Sequence, residues 1–442
     1  MKKTIRLPAI YMKMDGHQCK GEDNKMTDNI LKDRLWKYID ERNEDLIKLC
    51  SRLIAIPTEN PPGNMEDVTS FICNYLKSKG ISYEVLRPKE NKPNIVAKYG
   101  KEKGTRLLFN GHSDVVPAGD LKKWDFEPFS GEVRDGRILG RGTSDMKGGL
   151  ACILFAMGLL AEEDVSLNGQ LILTIVPDEE ISGDMGTKWL VEEGIVDGDY
   201  CVVAEPTGYD NCEVGQKGAL WLKLTATGVS AHGSLSPYVG KNAIRKMMDF
   251  LDEIQKLTEI HGEYEGEVKE VMSESKRVAK ECLKAPQVEN ILDHITVNIG
   301  EIHGGTKTNM VADHAEAYVD IRIPIGINSK DILDRVDKII EDLDGGITYT
   351  YSWRSEPNYV LITNPLVKSV EANAKDVLGI DITATYQWAS SDARYFRYKG
   401  IPTIQYGPAN TEGIHSYNET VDIKDLISSA KVYTGMILDL LK

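Results

Sequence analysis

The stretch TRLLFNGHSD, residues 105–114, decides the fold, because a short apolar run ends directly on a histidine and an aspartate. The same pattern recurs in QLILTIVPDEE (170–180) and in DYCVVAEP (199–206), which end on glutamates. Helical stretches separate such runs, as in MKGGLACILFAMGLLAEE (146–163). Short apolar strands that alternate with helices indicate an α/β fold with a largely parallel, doubly wound sheet.

The pattern changes after Cys212, where half-exposed strands of antiparallel type replace the buried ones. These strands are ALWLKLTATG (219–228), ITVNIGEIHGG (295–305) and AEAYVDIRIP (315–324). Two polar helical stretches, about 240–282 and 329–344, lie among them. This is an α+β pattern, and we expect a ferredoxin-like domain inserted in the first one. The α/β pattern resumes after Asn364.

The domain boundaries follow from these changes. We expect a main domain made of residues 29–215 and 359–442, with the inserted domain spanning 216–358. Residues 1–28 are expected to form a polar leader, with disorder as an open alternative. The charged stretch 261–286 is predicted to be a helical insertion of unassigned role.

Composition excludes several classes of protein. The 442 residues carry a net charge of −15, which argues against nucleic acid and anionic membranes as partners. No apolar run reaches the roughly 18–20 residues of a membrane span, and the start of the chain lacks a secretory apolar region. The seven cysteines are scattered singly without a C-x-x-C pair, which favours the reducing cytoplasm.

Acidic residues and histidines recur at the predicted strand ends. They are His112, Asp114, Asp145, Glu179, Glu180, Glu205 and His415. Because the carboxyl ends of parallel strands share one edge of the sheet, we expect these groups to converge there. Taken alone, Asp145 could cap the helix that follows it, and the two adjacent glutamates could be a solvated loop.

A divalent metal explains the convergence better. Unpaired carboxylates so close together would repel one another and raise each other's pKa. Imidazole and carboxylate ligands suit zinc, with cobalt or manganese also possible. Five candidate ligands suffice for two metals about 3.5–4 Å apart if one carboxylate bridges them.

A set of motifs in fixed order strengthens this interpretation. The motifs are GHSDVVP (111–117), GRGTSDMKGG (140–149), DEE (178–180), AEPT (204–207), SAHGS (230–234), GGTKTNMVADHAEAYVDIR (304–322) and HSYNE (415–419). With them the chain, from about residue 35 to its end, resembles the dizinc metallopeptidase and deacylase family. That family contains acetylornithine deacetylase, succinyl-diaminopimelate desuccinylase, aminoacylase and glutamate carboxypeptidase.

The resemblance implies a specific set of metal ligands. His112 and Glu205 would hold one metal, and Glu180 and His415 the other, with Asp145 as the bridge. The main domain would then be the catalytic domain. The inserted domain would serve as a lid and dimerisation domain.

The resemblance also assigns the neighbouring carboxylates. Asp114 would orient His112, as carboxylates commonly do for a metal-bound imidazole. Glu179 would be the general base that activates the water. The peptide after Asp145 is cis in relatives, so a cis bond is expected here.

Three residues of the inserted domain receive roles from the resemblance. His232 would donate to the developing oxyanion in the active site of the partner subunit, which implies a homodimer paired through the inserted domain. Arg322 would bind the substrate carboxylate, since its planar fork matches a carboxylate. Asn309 matches a position that contacts substrate, and a structural ion pair is the alternative role for Arg322.

The expected function is hydrolysis of the amide bond of N-acyl amino acids, with a metal-bridged water as nucleophile. A dipeptidase or carboxypeptidase of the same family is the alternative. An inactive binding homologue is a more remote one, because none of the expected catalytic residues has been lost. A single-domain dizinc aminopeptidase is disfavoured by the strand-rich insertion between Cys212 and Asn364.

Overall fold

The computed structural model describes the backbone of residues 18–343 and 345–442, with side chains from residue 29 onward. Residues 1–17 of the predicted polar leader (1–28) lie outside the described residues. The first helix begins within the leader, at Gln18. Among the described helices, none combines the length and the apolar character needed to cross a membrane.

Within these ranges the chain forms twelve α-helices. They are α1 (Gln18–Glu41), α2 (Asn43–Ile54), α3 (Glu66–Ser78), α4 (Lys147–Glu162), α5 (Thr187–Glu192), α6 (Ala243–Gln255), α7 (Gly266–Leu283), α8 (Asn290–Asp293), α9 (Ser329–Asp342), α10 (Pro365–Leu378), α11 (Ala393–Tyr398) and α12 (Ile423–Leu441).

The same ranges contain sixteen β-strands. They are β1 (Ser82–Lys89), β2 (Lys92–Gly100), β3 (Arg106–His112), β4 (Glu132–Arg134), β5 (Arg137–Leu139), β6 (Gln170–Val176), β7 (Tyr200–Val203), β8 (Asn211–Gln216), β9 (Gly218–Thr227), β10 (Thr296–Gly304), β11 (His314–Ile323), β12 (Ile347–Ser355), β13 (Asn358–Tyr359), β14 (Thr383–Gln387), β15 (Thr403–Gln405) and β16 (Thr420–Asp422).

The main sheet has nine strands in the order β1-β2-β6-β3-β7-β15-β8-β13, with β14 paired to β8. Its centre, β6-β3-β7-β15, is parallel, and the outer pairs β1–β2 and β2–β6 are antiparallel. Helices cover both faces, as successive residues of β3 show. Leu107 packs in a core with Leu150 of α4, whereas Leu108 packs in a second core with Leu190 of α5. The predicted α/β class with a mostly parallel sheet is therefore confirmed.

The parallel register brings three strand ends to one edge. His112, the last residue of β3, pairs with Val176 at the end of β6. Asn110 of β3 pairs with Val203 at the end of β7. The segments that follow β6 and β7 carry the glutamates, so these side chains leave the sheet beside His112.

The second sheet is antiparallel throughout, in the order β10-β11-β9-β12. Alternate residues of β9, such as Leu220 and Leu222, are buried in a separate core with Phe250 of α6 and Val336 of α9. The other face of this sheet is not covered by those helices. We call it the open face of the lid sheet.

One predicted helical stretch is interrupted in the structure. The stretch predicted as helical over 240–282 breaks between α6 and α7, and α7 buries Val271 and Met272 in the core of the main sheet instead of the lid. Ser275 of α7 accepts a hydrogen bond of 2.8 Å from the backbone of Tyr386 in β14. Near the start of the described chain, α1 and α2 are separate helices on either side of Arg42.

The chain crosses between the two sheets at two adjacent linkers. Lys217 joins β8 to β9, and residues 356–357 join β12 to β13. The buried ammonium group of Lys217 donates to the carbonyl oxygens of Ile291 (2.6 Å) and His294 (2.7 Å). The segment after α7 is thereby attached to the crossing point.

Candidate active site

His112 is fixed in orientation by its own loop. Its Nδ1 lies 2.8 Å from the backbone oxygen of Asp114. A carbonyl oxygen only accepts, so Nδ1 donates and Nε2 is turned toward the carboxylates. Nε2 lies 3.1 Å from Asp145 Oδ1 and 4.0 Å from Glu205 Oε2.

Asp114 is fully buried and links His112 to the loop after β6. Its Oδ1 lies 3.4 Å from His112 Nδ1 and accepts from the backbone N–H of Glu179 at 3.2 Å. Its Oδ2 accepts from the backbone of Glu180 at 3.3 Å and from Asn60 Nδ2 at 2.8 Å. One carboxylate thus positions the histidine and both glutamates.

Asp145 lies between the two histidines. Its Oδ1 faces His112, and its Oδ2 lies 3.2 Å from His415 Nε2. The peptide bond between Asp145 and Met146 is cis, as expected.

The loop that carries Asp145 is held by Glu419, which is completely buried. Its Oε1 accepts from the backbone N–H groups of Ser144 (2.8 Å) and Asp145 (3.0 Å). Its Oε2 accepts from Gly142 N (3.0 Å) and from the buried guanidinium of Arg141 (2.7 Å). Glu419 therefore positions Asp145 from behind.

Glu180 and His415 complete the other side of the cluster. His415 Nε2 lies 3.2 Å from Glu180 Oε2, and Glu180 Oε1 accepts from the backbone of Val116 at 3.2 Å. His415 is about half exposed, with a side-chain exposure of 53%, so this side of the cluster is open to solvent.

The donor atoms form two overlapping groups that fit divalent cations. One ligand atom each of His112, Glu179 and Glu205 lies within 4.8 Å of the others, and the same holds for His112, Asp145 and Glu180. Imidazole nitrogens and carboxylate oxygens at such spacing are the donors that zinc-type ions prefer. Glu179 lies as close to this cluster as a ligand does.

The electrostatics of the cluster reflect burial and crowding. Burial raises the pKa of Glu179 and of Glu205 well above the usual glutamate value, and neighbouring carboxylates add to the shift. Hydrogen bonds to Asp145 and Glu180 raise the pKa of His415 to about 10. Burial opposes a charge on His112, but its bonds to Asp114 and Asp145 outweigh burial and raise its pKa. The cluster therefore attracts positive charge, as a metal site does.

His232 and Asn309 of the lid lie close to each other. His232 forms a β-bridge with Met310, and the backbone N–H of Gly233 donates to Asn309 O at 2.8 Å. The exposed ring of His232 bonds through Nδ1 to Ser234 Oγ at 2.7 Å. Within the described chain, no hydrogen bond or ion pair joins His232 or Asn309 to the metal-ligand candidates.

Arg322 lies on β11 and is half-buried. Its guanidinium bonds to Asp320 on the same strand, with Nε at 2.9 and 3.1 Å from the two carboxylate oxygens and one terminal nitrogen at 3.0 Å. The alternative of a structural ion pair is therefore observed. A substrate carboxylate would have to share or replace Asp320.

Sequence reasoning missed the residues that hold the ligands in place. Asn60 and Glu419 act from loops distant in sequence from their partners, and only the fold reveals them. Glu419 did belong to the quoted HSYNE motif, but a glutamate beside an asparagine carries no signal of burial. Arg394 is also buried, and it donates to the backbone oxygen of Ser182 in the loop after Glu180.

A doubly wound sheet whose carboxyl edge gathers two histidines and several carboxylates, under a small antiparallel lid, defines a metallohydrolase. The chain belongs to the peptidase family M20/M25/M40, because the sequence model of that family matches residues 108–439. It is an enzyme of that family, acting on C–N bonds.

Three known proteins illustrate the likeness. A succinyl-diaminopimelate desuccinylase of Blochmanniella pennsylvanica is 29% identical, covering 90% of this chain and 98% of that protein. An N-formyl-4-amino-5-aminomethyl-2-methylpyrimidine deformylase of Bacillus subtilis is 28% identical, covering 92% and 96%. The crystal structure of an M20-family metallo-carboxypeptidase from Sulfolobus solfataricus has a TM-score of 0.74 at 21% identity, covering 89% and 98%. At that identity the last comparison concerns the fold alone.

Proposed function

We propose that the chain hydrolyses the amide bond of N-acyl amino acids at a site that holds two divalent metal ions. The observation that carries the proposal is the position of Asp145, whose two oxygens face His112 and His415 at 3.1 and 3.2 Å. A carboxylate that reaches two histidines with separate oxygens suits a bridging ligand. His112 and Glu205 would then hold one ion, and Glu180 and His415 the other.

The donor set favours zinc, with cobalt and manganese as the alternatives. When bound, two such ions would supply a water of lowered pKa as the nucleophile and would polarise the scissile carbonyl.

Glu179 is proposed as the general base. It accepts the proton of the attacking water and passes it to the amine that leaves. Its backbone is held by Asp114 at 3.2 Å, and its carboxylate lies among the ligand atoms of His112 and Glu205. Asp114 acts as a positioning residue, because its oxygens hold both the imidazole and the base.

The lid is proposed to complete the site from the partner subunit of a homodimer. His232 is exposed and, among the described residues, bonds to no metal-ligand candidate, which supports a role in the partner's site as oxyanion donor. Among the described strands, the edge strand β10 pairs with β11 alone, and it exposes Ile299 and Ile302. An edge of this kind suits pairing of two lids. Asn309 and Arg322 are proposed to contact the substrate. Arg322 would bind the carboxylate group of the substrate.

The proposed substrate follows the desuccinylase relative, which is similar along nearly its whole length. A second candidate is removal of a formyl group from an aminomethylpyrimidine, as the Bacillus subtilis relative is named. The Arg322–Asp320 ion pair supports this candidate, because Asp320 already occupies the guanidinium proposed to bind a substrate carboxylate, and the pyrimidine substrate has no carboxylate. A dipeptidase or carboxypeptidase is the third candidate.

The experiment is a substrate panel on the metal-loaded protein. It contains N-succinyl, N-acetyl and N-formyl amino acids, the N-formyl aminomethylpyrimidine, and dipeptides. Faster hydrolysis of N-acyl amino acids than of dipeptides is the expected result. Preference for dipeptides would replace the proposal with a peptidase, and no hydrolysis of any amide would indicate an inactive binding homologue.

We further infer a cytoplasmic protein whose catalytic domain spans 29–215 and 359–442 and whose lid spans 216–358. In support of the compartment, the described cysteines are free thiols, and Cys50, Cys152, Cys201 and Cys212 are buried. In support of the boundaries, the chain crosses between the two sheets near Lys217 and residues 356–357.

A further inference from the structure

The open face of the lid sheet presents two tryptophans side by side. Along β9, Leu220 and Leu222 are buried against the lid helices, whereas Trp221 between them is 42% exposed. Trp353 of β12 lies directly opposite Trp221 in the strand register. The two ring centroids are 5.6 Å apart, at an interplanar angle of 34°.

A β-bulge places Trp353 on this face. Tyr351 pairs with Leu222, but the next pair is Trp353 with Trp221, so β12 carries one extra residue between the two pairs. In an unbroken register Trp353 would lie opposite Leu220 and point toward the lid core. The extra residue turns its ring to the open face instead.

Arg394 connects the tryptophan pair to the loop that follows Glu180. The guanidinium carbon of Arg394 lies 4.7 Å from the centroid of the Trp353 ring. Arg394 is 2% exposed, and its Nη2 donates to the backbone oxygen of Ser182 at 3.2 Å. Ser182 follows Glu180 by two residues, so the Arg394 guanidinium connects Trp353 to the loop that carries the proposed base and ligand.

Arg322 occupies the same open face next to the pair. Its neighbour Asp320 lies opposite Trp221, which makes Arg322 the diagonal neighbour of Trp221. Diagonal neighbours are about 7–8 Å apart and within reach of long side chains. A carboxylate bound to Arg322 and an aromatic ring against the indoles can therefore both belong to the amine half of a small substrate. Arg322 already bonds to Asp320, and the Trp353 ring already contacts Arg394 and Trp221. The exposed ring of Trp221, supported by Trp353, is therefore the surface of the pair that remains open to a ligand.

We propose that Trp221 and Trp353 form the binding wall for a planar aromatic ring on the amine half of the substrate. This inference rests on the proposed function and narrows it to amides whose leaving amine carries such a ring. The ring belongs either to an aromatic amino acid or to a heteroaromatic amine, and both stack on indole in the same way.

The test compares matched substrates on the metal-loaded full chain. The pairs are N-acetylphenylalanine against N-acetylalanine, and the N-formyl aminomethylpyrimidine against N-formylethylamine. Stacking predicts a preference of about 10-fold or more in kcat/KM for the aromatic member of at least one pair. Trp221→Ala and Trp353→Ala should each remove most of that preference, mainly through KM, and Trp353→Phe should retain it.

Tyr351→Ala is the matched control. Tyr351 lies on the same strand and is 49% exposed, but it pairs with Leu222 and so belongs to the opposite face. Its removal should leave the preference unchanged. Arg322→Ala distinguishes the two ring sources, because it should lower kcat/KM for the carboxylate-bearing pair alone.

The outcomes separate this inference from the proposed function. Hydrolysis without an aromatic preference, or a preference that survives both alanine variants, overturns the inference and leaves the function standing. Variants that dissociate the dimer and slow all substrates equally also overturn it, because the indoles would then be a subunit contact. If no amide is hydrolysed, the proposed function fails. Calorimetric measurement of the binding of phenylalanine and of the aminomethylpyrimidine then tests whether the two tryptophans bind an aromatic ring. Binding weakened by Trp221→Ala supports it, and no binding overturns it.

Discussion

Replacing Glu419 by glutamine should destabilise the protein strongly, although the substitution preserves size. The carboxylate accepts from four donors, namely Arg141 and the backbone N–H groups of Gly142, Ser144 and Asp145. Glutamine keeps one acceptor oxygen, and its amide nitrogen would face donors. Breaking a buried ion pair costs about 3–5 kcal/mol. A further buried donor left without a partner costs about 1–3 kcal/mol.

We therefore expect the free energy of unfolding of Glu419→Gln to fall by at least about 3 kcal/mol. Urea unfolding followed by circular dichroism measures this change, with a chelator present because bound metal would itself stabilise the fold. Glu412→Gln, at an exposed glutamate of the same loop, is the control and should change little. A fall below about 1 kcal/mol, or one equal to that of the control, would refute the role of Glu419 as the buried support of Asp145.

Three further predictions concern catalysis and pH. Glu179→Gln should reduce turnover by at least about 10²-fold with metal content unchanged, whereas Glu180→Gln should also lose metal. If Glu179→Gln keeps more than about a tenth of wild-type turnover, the assignment of Glu179 as general base is wrong. Mixing inactive His232→Ala and Glu179→Gln chains should restore one site per heterodimer, and proven heterodimers without activity would exclude action in trans. Burial raises the pKa of Glu213 from 4.5 to about 8. The folded state therefore retains a proton that the unfolded state releases, so stability should fall as pH rises from 5 to 8, and Glu213→Gln should flatten this fall in urea midpoints.

The convergence of the metal-ligand candidates could be predicted from sequence because strand direction determines it. Apolar runs ending on His112, Glu180 and Glu205 imply one shared edge once the strands are parallel, and the structure brings these residues together. The pattern needs only the local period of each run and the alternation with helices.

The supports behind the ligands could not be predicted in this way. Asp114 meets Asn60 across 54 positions of sequence, and Glu419 meets Asp145 across 274. Such pairs depend on how loops close after the sheet has formed, and neither partner has a local pattern that identifies the other. The pairing of Arg322 with Asp320, by contrast, is a spacing of two on one strand, where side chains share a face.

Registers and breaks were also beyond the sequence pattern. The bulge that turns Trp353 to the open face adds one residue to β12 without any glycine or proline there to mark it. The helical period near Arg42 continues through the break between α1 and α2. The sequence of α7 is typical of a solvated charged helix, yet Val271, Met272 and Ala279 are buried in the core of the main sheet.

The central claim is a site for two metals bridged by Asp145, and metal stoichiometry tests it most directly. Dialysed protein reloaded with zinc and measured by elemental analysis should hold about two ions per chain. Asp145→Ala should hold fewer, because it removes the oxygens that face both His112 and His415. A stoichiometry that stays at or below one in excess zinc, with full activity, would contradict the account.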